Sequence, residues 1–132
     1  MSRKILNIND MKKFFFIFLV TIAFLAISCT EDYTDPKVLS GTTWRCSSFP
    51  DDISVYLDYV ELKFVSTSQV TILTRYKDGS FDENDEIATY TISGKTITIF
   101  DPNPDFGDYV GEIDNSKMNL LVDGIKRIFI KQ

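Results

Sequence analysis

Tyr90-Thr91-Ile92-Ser93-Gly94-Lys95-Thr96-Ile97-Thr98-Ile99-Phe100 is the stretch whose reading decides the fold. With Ala88 ahead of it, Tyr90 and Ile92 fall on one face, and Thr89, Thr91 and Ser93 fall on the other. A period of two belongs to a strand and not to a helix. Gly94-Lys95 fits a two-residue hairpin with glycine at its first central position, and Thr96–Phe100 pairs back. The unit of this chain is therefore an antiparallel hairpin.

Similar units extend in both directions. Toward the C-terminus, Asp101-Pro102-Asn103-Pro104-Asp105 interrupts the pattern, because proline cannot donate to a ladder. Tyr109–Ile113 resumes it, and Asn115-Ser116 turns it into Lys117–Val122. Asp123-Gly124 is the strongest hairpin signal in the chain, and it leads into Ile125–Lys131. Toward the N-terminus, Asp78–Glu86 is a polar loop that follows the alternating run Gln69–Tyr76. Before that, Val60, Leu62 and Phe64 face one way, while Glu61 and Lys63 face the other. Phe49-Pro50-Asp51-Asp52 favours a turn, and Thr42–Ser47 reads as the first strand. The expected fold is all-β: a small antiparallel up-and-down meander barrel of about eight strands. Closing the sheet removes its exposed edges. A two-sheet β-sandwich is the alternative.

The N-terminal part has a different character. Phe14–Ile27 is uncharged and apolar, preceded by Lys12-Lys13 and followed by Ser28-Cys29. That order is the grammar of an export signal. The run is shorter than the roughly 18 residues a spanning helix needs. Leu25-Ala26-Ile27-Ser28-Cys29 resembles the lipobox of bacterial lipoproteins, although leucine is commoner where Ala26 stands. The resemblance implies cleavage before Cys29 and acylation of that cysteine, so residues 1–28 are expected to be a signal peptide. Met11 starts a complete signal by itself and is the expected start of translation, with a longer n-region from Met1 as the alternative. Glu31-Asp32 resembles the acidic surface-export signal of Bacteroidetes lipoproteins. It implies an outer-membrane location with display on the cell surface, with the periplasmic face as the alternative. Residues 29–38 are expected to form an acidic tether, and residues 39–132 the β domain.

Leu39-Ser40-Gly41-Thr42-Thr43-Trp44 opens that domain much as lipocalin-like domains open. Tyr90–Ile99, Gly111–Leu120 and Phe129-Ile130-Lys131 are similar to later strands of lipocalin-like lipoproteins of the Bacteroidetes type. Two residues separate the glycine and the tryptophan here, where lipocalins proper have one. The resemblance implies that a basic residue of the last strand packs on Trp44 and closes the barrel end. Arg127 is the expected residue, because a guanidinium stacks well on an indole, and Lys126 is the alternative.

The whole chain carries 19 acids and 14 bases. The signal takes Asp10 and the bases Arg3, Lys4, Lys12 and Lys13, which leaves 104 residues with 18 acids, 10 bases and a net charge of about −8. Such a surface repels phosphate backbones, so no nucleic-acid partner is expected. The chain has no histidine, which removes Ser-His and Cys-His nucleophilic machinery. Cys46 would be left without a partner once Cys29 carries lipid, and it reads as a small core side chain, with Arg45 pointing to the opposite face. Asp82, Asn84 and Glu86 alternate as oxygen ligands could, but the stretch lacks the spacing of a calcium loop, so no Ca2+ is expected. Nothing marks out a catalytic carboxylate pair among so many acids.

The expected function is that of a non-catalytic, lipid-anchored binding module. Its ligand would be a small apolar molecule, or an extracellular protein or glycan that some of Tyr56, Tyr59, Tyr76, Tyr90, Tyr109, Phe81, Phe100 and Phe106 could stack upon, with core packing the expected use of most of them. The alternative is a protein-interaction or inhibitor domain whose barrel is packed and has no ligand cavity. No cofactor is expected beyond the covalent lipid on Cys29.

Overall fold

Hairpin chemistry places the strand ends. The computed structural model describes residues 31–49, 54–82, 86–103 and 107–132, and Glu86 through its backbone alone. A short helix, α1 (Pro36–Leu39), precedes eight strands: β1 (Thr43–Cys46), β2 (Leu57–Phe64), β3 (Gln69–Tyr76), β4 (Glu86–Ser93), β5 (Thr96–Phe100), β6 (Tyr109–Asp114), β7 (Lys117–Val122) and β8 (Ile125–Lys131). Each strand pairs antiparallel with the next, and β8 returns to β1, so the sheet is a closed meander barrel. Closure rules out the two-sheet sandwich.

The tight turns behave as their residues dictate. Ser93 pairs with Thr96 around Gly94, whose φ is +60°. Val122 pairs with Ile125 around Asp123 and Gly124, at φ +52° and +76°, the mirror-image turn that suits strand twist. These turns fix the register, and the register sends alternate side chains inward. Trp44 and Cys46 of β1, Val60, Leu62 and Phe64 of β2, and Ile97 and Ile99 of β5 are all buried, and no buried side chain among the described residues is polar.

Strand direction gives the barrel two distinct ends. The base holds α1, the β2–β3, β4–β5 and β6–β7 turns and the end of β8. The distal end holds the remaining connections. At the base, Tyr90 packs edge-on against Phe64, with ring centroids 4.9 Å apart, and its hydroxyl donates to the Ser66 carbonyl at 2.9 Å.

The expected tether is largely part of this body. Residues from Glu31 onward belong to the compact unit. Asp32 accepts from the Thr34 amide at 3.0 Å, and Asp35 caps α1 by accepting from the Lys37 amide at 2.9 Å. Leu39 is fully buried, and Tyr33 is only 7% exposed. One aromatic among polar residues and a four-residue helix carry no periodicity, so by pattern alone this stretch reads as a linker.

Two groups at the base make the fold sensitive to alkali. Burial raises the Tyr90 phenol above the ordinary tyrosine range. Lys131 is raised chiefly by its hydrogen bond with Tyr33. A raised folded pKa contributes stability that is complete below the unfolded value and is lost as pH rises through the folded one. The urea midpoint is therefore expected to fall from about pH 10 upward. Tyr90→Phe should shallow that fall, and a midpoint that stays flat to pH 11 would contradict the linkage.

Candidate functional site

The interior is the first place to look for a site, because small barrels hold ligands there. Here side chains fill it. Phe64, Val70, Ile97, Ile99, Met118, Leu120 and Phe129 have no surface open to water. A void large enough for one water molecule would expose part of its lining. These side chains show none, so no such void lies against them.

The base contains the tryptophan cluster. Trp44 is fully buried, and its indole N–H donates to the Thr42 hydroxyl at 2.8 Å. That hydroxyl donates to the Leu39 carbonyl at 2.6 Å, which joins β1 to α1. The Tyr33 ring stands edge-on to the indole, with centroids 5.3 Å apart. The basic residue of β8 at this place is Lys131, which pairs with Trp44 in the ladder and holds its ammonium 5.2 Å from the Tyr33 centroid. The expectation for Arg127 is corrected on this point. Its ladder partner is Leu120, and its guanidinium lies 5.6 Å from the Phe49 ring, near the other end of the barrel. Arg127 Nε is buried without a hydrogen-bond partner. Lys126, the alternative, is exposed and pairs with Leu121. The β1–β8 register explains the correction: closure sets Trp44 opposite residue 131, and that offset is absent from the pattern of either strand alone.

The remaining expected site residues are scattered. Glu31 accepts from the Tyr33 hydroxyl and lies 4.0 Å from the Lys131 ammonium. Asp32 is exposed, and its hydrogen bonds to Thr34 hold its carboxyl below the usual range. Cys29 and Asn84 lie outside the described residues, as does the side chain of Glu86, while Asp82 is exposed. Among the described residues no cluster of three possible metal ligands occurs. Cys46 is buried, with its thiol 3.5 Å from the Ser48 carbonyl, and Arg45 points outward as expected.

The outward face carries the arrangement best suited to recognition. The Arg45 guanidinium sits 4.0 Å from the Tyr59 ring centroid and is hydrogen-bonded to Glu61 at 2.8 Å. This bond holds Arg45 more firmly protonated. Tyr59 is the ladder partner of Arg75, whose guanidinium lies 4.1 Å from the Phe81 centroid. Arginine and aromatic rings thus alternate across β1, β2, β3 and the strand-like segment at Phe81 that bridges to Arg75. Tyr56 extends the surface at 70% exposure, and its carbonyl accepts from the Lys77 amide at 2.9 Å. Each exposed stack contributes on the order of 0.5–1 kcal/mol, so the ladder is partly self-supporting before any partner arrives. Tyrosine and arginine are also the side chains over-represented where protein interfaces concentrate their energy. The sequence offered Tyr56, Tyr59 and Phe81 as aromatics to place. Only the strand register could say that Arg45 and Arg75 interleave with them.

A second outward feature lies across the barrel. Val110 pairs with Leu121, and Phe100 and Ile128 sit on neighbouring strands, all more than 40% exposed. No described helix is long and apolar enough to cross a membrane. Compared with protein-family models, with curated proteins and with solved structures, the chain has no match in any of the three.

Proposed function

We propose that this protein is a non-catalytic, lipid-anchored module of the cell envelope that binds a protein partner on its outer surface. The single observation that carries this reading is the filled middle of the barrel: each of six strands, β1, β2, β3, β5, β7 and β8, contributes at least one inward side chain that is wholly closed to water. Among the described residues, a barrel filled this way offers its exterior to a partner. The surface best fitted to the task is the ladder Arg45–Tyr59–Arg75–Phe81 with Tyr56 beside it. It combines large, rigid rings with fixed cations, and ordering such groups on binding costs little entropy. The lipid on Cys29 and the envelope location come from the sequence motifs, and export accords with a net charge of about −8 that repels nucleic acid.

Native mass spectrometry of the lipidated protein from its own host tests both halves of the reading. The expected spectrum shows the polypeptide with its lipid, free of any second small molecule, together with a complex of higher mass. Tyr59→Ala with Phe81→Ala should abolish that complex while the far-UV circular dichroism stays unchanged. A retained apolar small molecule would overturn the reading in favour of a carrier, and a complex that survives both substitutions would move the partner off the ladder.

A further inference from the structure

We propose that the base of the barrel rests against the phospholipid headgroups and that the distal end, with Phe81 and Tyr56, points away from the bilayer. This rests on the lipid-anchor reading of Cys29 and adds to it the surface that meets the membrane.

Three observations on the folded body lead here. First, the body begins almost at the anchor. Glu31 is tied to Tyr33 and faces Lys131, and Tyr33 is wedged against Trp44. Two residue steps separate Glu31 from Cys29, a reach of at most about 7 Å. Second, the attachment point lies at one end of the barrel. β2 runs from Leu57 at the distal end to Phe64 at the base, eight residues that rise about 3.3 Å each. An inverted barrel would need a tether of roughly that strand's length, on the order of 20 Å, and the available reach is a third of it.

Third, charge separates upright from recumbent. Around the base, Lys37, Lys63, Lys95, Lys117 and Lys131 balance Glu31, Asp32, Asp35, Glu112 and Asp114, by their places on the strands and turns. At the distal end, Asp58, Asp78, Asp82, Asp101, Asp108 and Asp123 outnumber Arg75, Lys77, Lys126 and Arg127. Among the described residues the excess of acids over bases therefore falls at the distal end, away from the anchor. Lying flat would bring those carboxylates within a Debye length, about 8 Å, of lipid phosphates, and standing on the base avoids it. The base offers Lys95 and Lys117 to those phosphates instead.

Orientation can be read on the full lipidated protein in vesicles of phosphatidylcholine and phosphatidylglycerol. Lys95→Cys at the base and Lys126→Cys near the distal end would each carry a bimane label, and a nitroxide on the lipid headgroup would quench it. Quenching at 95 is expected to exceed that at 126 at least twofold. Equal or reversed quenching overturns the proposal. Inserting twenty Gly/Ser residues between Thr30 and Glu31 should erase the contrast, and a contrast that survives overturns the short attachment as its cause. Labelled palmitate incorporation into wild type, but not into Cys29→Ala, is measured first. Its absence would sink the anchor reading itself, and that failure is distinct from a failure of orientation.

Discussion

Gly111→Ala is expected to lower the melting temperature by roughly 15 °C, the equivalent of about 3 kcal/mol in a domain of this size. Gly111 lies on β6 opposite Leu120 of β7 and Ile97 of β5. A Cβ at this position would sit 1.8 Å from the Asn119 carbonyl oxygen and 2.8 Å from Leu120 Cα. Both are backbone atoms, so no rotamer change can make room. β6 would have to move away from β7, and the ladder from Val110 to Asp114 runs through that contact. Glycine at such a place lets strands approach closely where a barrel bends. Val110→Ala, one residue away and facing outward, should shift the melt by only a few degrees. Equal melts for Gly111→Ala and wild type would mean that β6 and β7 are farther apart than described.

Trp44→Ala should cost about 3–5 kcal/mol, enough to leave the domain barely folded when total stability is about 5–15 kcal/mol. The indole is fully buried at the closing seam between β1 and β8, where it meets Tyr33 and anchors the Thr42 hydroxyl that reaches α1. Truncation therefore leaves a cavity and also frees the N-terminal segment. Hydrogen exchange is the measurement that separates these effects. Amides at Leu39 and Thr42, which bond to Asp35 and Leu39 carbonyls, should lose protection before the β6–β7 ladder does. Uniform loss would show that the segment is not fastened through the tryptophan. An unchanged urea midpoint would contradict the burial itself.

The strands were the legible part of this protein. Alternation at Ala88, Tyr90 and Ile92, and at Val60, Leu62 and Phe64, needs only local sequence, because neighbouring side chains on a strand must face opposite ways. Gly94-Lys95, Asn115-Ser116 and Asp123-Gly124 were equally local, since each turn demands its own backbone angles. Less legible was anything fixed by residues distant in sequence. Tyr33 looked like part of a tether because the indole it packs on is eleven positions away, and a lone aromatic has no period. The expectation of Arg127, with Lys126 as the alternative, misses Lys131 for the same reason, since one end of the barrel differs from the other by only four residues of β8. The outer ladder was invisible as a unit: its members are separated by up to 36 positions and meet only through two strand pairings and one bridge.

Local patterning dictates that about eight strands form, which face of β2 and β4 is buried, and where the chain reverses, and a meander follows from those three. The proposed envelope address and lipid anchor rest on the N-terminal motifs alone. Tertiary structure alone decided that β8 closes on β1 with Lys131 beside Trp44, that Glu31–Leu39 joins the body, that position 111 admits no side chain, and that rings and guanidinium groups alternate on the outside. The physical reason is that periodicity and turn chemistry act over a few residues, whereas the offset at which a sheet closes is a property of the whole ring. Every contact across the seam inherits that offset.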